Sequence, residues 1–232
     1  GVILLAVAKK YKIPIIALGL GEEKTIIPLE EQPFYDQLEI YDSNWDQSYL
    51  GKVTGFTPQQ TLLRFYAVMA RVGEIIRDVG QKADESPGML WSESVREEIK
   101  EAEVLFRVAK RTMDDSSIPE SIRKDTLEES VLKLKEILDY AFTHSREPID
   151  IPNNKNQTDW TIPGTAITLT RSVQNDNGNQ DYFFSQETLE NINRMYAFVR
   201  ETYGDTTVDE IISENPLASP RIYQDFSYSP GY

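Results

Sequence analysis

The sequence predicts a mainly α-helical α+β protein: a layer of long amphipathic helices with a small β-hairpin before the fourth helix. Three observations carry this. Three successive stretches between Thr57 and His144 place apolar residues at a 3.6-residue rhythm behind helix-start signals. The run from Trp160 to Thr170 is β-branched and alternating, as half-buried strands are. Tyr182-Phe183-Phe184 then reads as a returning strand that leads directly into Ser185, a helix cap.

In chain order, Val2–Lys10 reads as a helix and Ile13–Leu18 as a buried strand closed by Gly19-Leu20-Gly21-Glu22. These form a helix–strand unit, residues 1–23. Residues 24–55 are polar, dotted with Pro28, Pro33 and Gly51, and carry Phe34, Tyr35, Tyr41, Trp45 and Tyr49 without a period. They read as an extended connector that tucks aromatic rings against the body. The main helical domain, residues 56–205, opens at Thr57-Pro58, where threonine can cap and proline has no N–H to waste. Its first inward stripe is Leu62, Phe65, Tyr66, Met69, Val72 and Ile76, ended near Pro87-Gly88. Ser94-Val95-Arg96-Glu97 has the form of a capping box, followed by the stripe Val95, Ile99, Ala102, Phe106, Ala109 and Met113. Ser117-Ile118-Pro119-Glu120 opens the third helix in the same way, with Leu127, Val131, Leu134, Leu138 and Ala141 facing inward and His144 near its end.

After a proline–asparagine loop, one strand from Trp160 to Thr170 is entered through Pro163-Gly164, and Val173–Asp181 is a hairpin loop. Trp160 is expected to anchor this layer on the helices. Leu189, Ile192, Met195 or Tyr196, Val199 and Tyr203 line the fourth helix, and Thr207 with Glu210 caps a shorter one. Residues 206–232 thus hold a short helix and an aromatic, proline-rich tail, expected to run to one edge and meet a membrane or a partner.

Composition narrows the chemistry. The chain has 232 residues, with 24 Lys and Arg against 38 Asp and Glu, a net charge of −14, which argues against nucleic acid as a partner. Cysteine is absent, so disulfides, thiol catalysis and thiolate metal sites are excluded. His144 is the single histidine, which removes metal sites needing two imidazoles. The longest purely apolar run, Val2–Ala8, is far short of the roughly 20 residues a membrane-spanning helix needs.

The remaining candidates read as structural. His144 at a helix C-terminus suits a cation near free carbonyls better than a general base. Asp114-Asp115 and Glu128-Glu129 point in different directions on a helix. Asp176-Asn177-Gly178-Asn179 lacks the distal glutamate of a calcium loop, and Gly19-x-Gly21 opens no helix. No catalytic, cofactor-binding or metal-ligating residue is assigned, and no enzymatic activity or cofactor is expected.

Five pieces of sequence carry a resemblance. They are Thr57-Pro58-Gln59-Gln60-Thr61 with Phe65-Tyr66; Leu138-Asp139-Tyr140 followed by Pro148-Ile149-Asp150-Ile151-Pro152; Trp160-Thr161-Ile162-Pro163-Gly164-Thr165 with Ile167; Tyr182-Phe183-Phe184-Ser185-Gln186-Glu187-Thr188 with Tyr196; and Ser219-Pro220, Tyr223 and Ser229-Pro230-Gly231-Tyr232. In this order they resemble the N-terminal extramembrane region of the cyanobacterial-type branch of the small-conductance mechanosensitive channel family. The membrane helices and the glycine- and alanine-rich pore helix of that family are not among these residues. The resemblance implies a non-catalytic extracytoplasmic accessory domain, or a soluble subunit of a membrane-associated assembly, on the periplasmic or equivalent lumenal side, with the cytoplasm as the alternative. Its partners would be its own pore domain or neighbouring subunits, met through the C-terminal tail. Separately, the G-x-G-E at Gly19–Glu22 resembles the last helix–strand unit of signal-recognition-particle-type GTPases. The alternative reading is therefore a fragment of a nucleotide-binding protein with an appended helical domain, although phosphate-loop, magnesium and guanine-selecting motifs are absent.

Overall fold

The computed structural model describes residues 25–44, 52–86, 92–172 and 180–227. The expected helix–strand unit of residues 1–23, the loop at Asp176–Asn179 and the last tail residues, 228–232, lie outside them. The described helices are α1 (Tyr35–Ser43), α2 (Pro58–Glu85), α3 (Glu93–Lys110), α4 (Glu120–Thr143), α5 (Gln186–Tyr203), α6 (Val208–Glu214) and α7 (Ile222–Ser227). The strands are β1 (Asp159–Thr161), β2 (Thr168–Arg171) and β3 (Tyr182–Phe184). The protein is mainly α with a small antiparallel sheet.

The helix starts follow local chemistry. The Thr57 side chain accepts from the Gln60 N–H at the head of α2, with Pro58 in the first turn. Ser185 caps α5 by accepting from the Thr188 N–H. At α6, Thr207 and Glu210 form a complete capping box. The cap of α3 is Ser92, which accepts from the Val95 N–H, so Ser94 lies inside the helix and the expected box is shifted. α4 starts behind Pro119 with no side-chain cap, so the box read at Ser117 does not form.

Within residues 24–55, read as an extended connector, the structure has a 3-10 turn at Leu29–Glu31 and the helix α1. Leu29, Phe34, Leu38 and Val53 are buried here, with the Phe34 ring 4.7 Å from that of Phe142. The reason a period was hard to see is that α1 turns little apolar surface inward, Leu38 being its buried residue. The stripe on α3 is also revised: Ile99 is exposed, and Leu105 and Val108 join Val95, Ala102, Phe106 and Ala109 in the interior.

The run from Trp160 to Thr170 is two strands. Pro163-Gly164, with Gly164 at φ 76°, turns the chain so that Trp160 pairs with Leu169 and Leu169 with Phe184, giving the order β1-β2-β3. The sheet is joined to the helices on the β3 side. The Phe184 N–H donates to the Thr112 carbonyl at 2.8 Å, the Asp114 N–H to the Phe184 carbonyl at 2.9 Å, and the Tyr182 N–H to the Gly55 carbonyl at 2.9 Å. β1 is consequently the outer strand. Trp160 is only half-buried, and the anchoring role expected for it falls to Leu169, Tyr182 and Phe184, which are fully buried. The Phe65 and Phe184 rings meet edge-on at 5.0 Å, which fixes the sheet on α2.

The most consequential departure concerns α4. Of its predicted inward stripe, Val131, Leu134, Leu138 and Ala141 are buried and Leu127 is half-buried, but every residue from Ser130 to Thr143 is buried as well, including Lys133, Lys135, Glu136 and Asp139. This half of α4 is a central helix, contacted by α2, α3, α5 and α7. Leu169→Ala is expected to cost about 2–5 kcal/mol and Trp160→Ala less than about 2 kcal/mol in urea denaturation, reversing the order that size alone would give.

Candidate functional site

The polar chemistry of the described residues is concentrated where the C-terminal segment crosses α4. Asp139 is its centre. One carboxylate oxygen accepts from the Lys135 ammonium and, at 2.8 Å, from the Tyr66 hydroxyl, while the other accepts the Ser219 backbone N–H at 2.8 Å. Lys135 also donates to the Leu217 carbonyl at 2.8 Å and lies 4.2 Å above the Tyr66 ring. The Asn215 amide donates to the Tyr66 hydroxyl at 2.8 Å and to the Thr143 hydroxyl at 3.1 Å, and Arg77 on α2 donates to the Ala218 carbonyl at 2.9 Å. The Lys135 and Asp139 side chains are 0% and 3% exposed, so this is a buried ion pair whose spare donors and acceptors go to the segment after α6.

The i, i+4 spacing within α4 places Lys135 and Asp139 on one face. Burial lowers the Lys135 pKa, with the Asp139 carboxylate acting against it. Burial drives the Tyr66 pKa well up, and the Asp139 charge adds to it, which keeps the phenol a donor. Glu136, one residue along, is different: burial raises its pKa to about 7, against hydrogen bonds from the Tyr223 and Arg221 backbone.

Close approach makes this docking possible. A Cβ at Gly73 of α2 would lie 2.1 Å from the Ser219 Oγ and 2.5 Å from its Cβ, so only glycine lets the segment lie down there. Beside it is a cleft of about 230 Å³ lined by Asp42, Arg71, Glu74, Arg77 and Leu217 among others. Its arginines are already engaged: Arg71 pairs with Glu74 and Glu101, and Arg77 bonds Ala218. Burial, followed by the Glu74 charge, raises the pKa of Asp42.

The sequence candidates fall away from this centre. His144 is the C-cap of α4, its ring stacked on Tyr140 at 4.3 Å with Nδ1 3.2 Å from the Tyr140 carbonyl. Burial lowers its pKa, against the Tyr140 carbonyl and the Glu214 charge, which disfavours the cation expected there. Asp114 accepts from Ser116, and Asp115 pairs with Arg123. Glu128 and Glu129 are salt-bridged apart, to Lys110 and Lys133. Among the described residues no group of three or more His, Asp or Glu is placed to hold a metal ion, and no helix is long and apolar enough to cross a membrane.

The described part of the tail packs on the domain with its rings half-buried. Asn215, Ala218, Ser219 and Ile222 are buried, the Phe226 ring lies tilted 4.9 Å from that of Phe106, and the Tyr223 hydroxyl donates to Glu129 at 3.1 Å. The tail as far as Phe226 is therefore held by the domain itself. Sequence reasoning missed Lys135, Glu136 and Tyr66 as a polar group because all three lie in runs read for their apolar periodicity. The available signal was the set of charges Lys133, Lys135, Glu136 and Asp139 in the half-helix that also carries the apolar stripe. In comparisons with protein-family models, curated proteins and solved structures, no match was found.

Removing Lys135 leaves the Asp139 charge buried with fewer donors. Lys135→Met is expected to lower stability by about 3–5 kcal/mol in chemical denaturation. Gly73→Ala is expected to cost about 1–3 kcal/mol, with the largest amide chemical-shift changes at residues 217–222 and not within α5.

Proposed function

We propose that the chain is a non-catalytic extracytoplasmic accessory domain of a mechanosensitive-channel-like protein, or a subunit of a membrane-associated assembly, that works by position and contact. One observation carries the reading. The pieces of sequence that suggested the family bond to one another. Thr61 donates its hydroxyl to the Tyr182 carbonyl at 3.1 Å and accepts from the Gly55 N–H at 2.8 Å. The Gln59 N–H donates to the Pro152 carbonyl at 3.2 Å. The Thr188 hydroxyl lies 3.2 Å from the Thr168 carbonyl on β2, and Ser219 meets Asp139.

Residues used in this way build a scaffold. Their hydroxyls and amides are spent on backbone groups of other elements, which supports a role in shape over a role in chemistry. The scaffold fixes where the chain leaves α6, and the same contacts carry displacement of the C-terminal segment directly onto α4. A domain of this kind suits an assembly in which one end of the chain is tied to a neighbouring body.

The test is fractionation of the source cells with peptide mass spectrometry on the fragment spanning Trp160–Thr165. Recovery in a detergent-extracted complex from the membrane fraction is the expected outcome. Recovery solely as a monomer of the soluble fraction would overturn the proposal.

A further inference from the structure

β1 is the open edge of the sheet, and its register shows which backbone groups lie on that edge. The strand bonds to β2 through alternate residues. The Arg171 N–H donates to the Thr158 carbonyl at 2.9 Å, the Ile162 N–H donates to the Ile167 carbonyl at 2.9 Å, and Trp160 pairs with Leu169 between them. The N–H and C=O of Asp159 and of Thr161 therefore point away from β2. Among the described residues nothing bonds to them. Residues 153–159 and Thr161 are exposed.

This edge is held in shape from the sheet side. The Tyr182 hydroxyl donates to the Gln157 carbonyl, the Arg171 guanidinium donates to the Lys155 carbonyl at 2.9 Å, and the Thr161 and Thr168 hydroxyls bond at 2.8 Å. An ordered, unpaired strand edge is a template for another strand. Trp160 shares the core-facing side of the sheet with Leu169 and Phe184, which are fully buried, yet it is half-buried because no strand lies beyond it. We propose that β1 pairs antiparallel with β1 of a second copy of this chain, about a two-fold axis beside Trp160, joining the two sheets into one.

The register selects the occupant. With Trp160 opposite Trp160, Asp159 faces Thr161 of the second copy and Thr161 faces its Asp159. Every outward N–H and C=O of the strand then has a partner, and each Asp159 carboxylate lies beside a threonine hydroxyl. The indoles meet on the core-facing side at a closely spaced pair, where Cα atoms stand about 4.5 Å apart. The neighbouring registers are worse. One sets Asp159 against Asp159, with like charges directly opposite. The other sets Asp159 against Pro163, which has no N–H to give. A strand that is complementary to itself in one register is what a two-fold contact requires. The edge is short and each copy carries a net charge of −14, so the association is weak, with a dissociation constant on the order of 0.1 mM. The pairing needs only this chain and does not rest on the membrane reading.

Sedimentation equilibrium and amide NMR of the whole chain, from about 0.01 to about 1 mM protein, test it; salt at about 0.15 M screens the repulsion between copies beyond about 8 Å. A monomer–dimer equilibrium is expected, with the concentration-dependent amide shifts centred on Asp159–Thr161. Thr161→Lys, which sets an ammonium opposite Asp159 of the other copy twice over, should tighten the dimer by roughly two- to thirtyfold, and Thr161→Asp should loosen it by a similar factor. Glu97→Lys, on the exposed face of α3, changes the net charge by more than Thr161→Lys does and should leave the association unchanged. A wild-type protein that stays monomeric to about 1 mM, or a dimer whose shifts lie away from β1, would overturn the pairing whatever the variants do. So would Glu97→Lys tightening the dimer as much as Thr161→Lys, since bulk charge rather than register would then be at work.

Discussion

The structure depends on a charged group placed where charge is expensive. Asp139 sits in the buried half of α4 and is satisfied from several sides: by Lys135 one turn earlier, by Tyr66 from α2, and by the backbone of Ser219 beyond α6. Desolvating a carboxylate costs several kcal/mol unless its lone pairs are all answered. No single element can answer them. The ion pair therefore ties α2, α4 and the C-terminal segment into one condition, and a competing arrangement that separates any of them leaves charge or backbone unpaired. The apolar core around it, with Phe34, Phe142 and Tyr66 in tilted contact, supplies attraction but little direction. The polar set supplies the direction.

Much of the architecture was legible because local rules act locally. The Thr57-Pro58 start, the Ser185 cap and the Thr207–Glu210 box each form between residues no more than three apart, and all three were readable. The readings that failed needed information from far along the chain. Trp160 looked like an anchor by size, but which strand lies outermost is set by β3 pairing with Thr112 and Gly55. Ser94 had the right spacing for a box, and Ser92 had the better position. Residues 130–143 showed one apolar stripe because charged side chains occupy the other faces, and nothing local says that Lys135 and Asp139 answer each other indoors. The one hint of the site in the sequence was indirect: Leu138-Asp139-Tyr140 and Ser219-Pro220 were both singled out, and Asp139 and Ser219 prove to be hydrogen-bonded.

The same placement gives a mechanical reading of the C-terminal segment. Glycine at position 73 lets Ser219 lie against α2, Arg77 holds the Ala218 carbonyl, and Asp139 holds the Ser219 N–H, so force on residues 215–219 is delivered to the two longest helices. Pulled through residues 215–219, a domain built this way moves as one body with α2 and α4. Beyond Pro220 the hold is of another kind: Arg221 adopts φ 66°, and the Tyr223 N–H is accepted by Glu136, which forms no ion pair among the described residues.

The most direct measure of this account is the exchange of the Ser219 amide proton as denaturant is added. If the buried ion pair joins the segment to the core, this amide exchanges only through global unfolding, with the same free energy and denaturant slope as the amides of Leu134 and Leu138 in α4. Exchange of Ser219 at a markedly lower free energy, with little dependence on denaturant, would mean that the segment lifts off by itself and would contradict the claim that Asp139 holds the fold together.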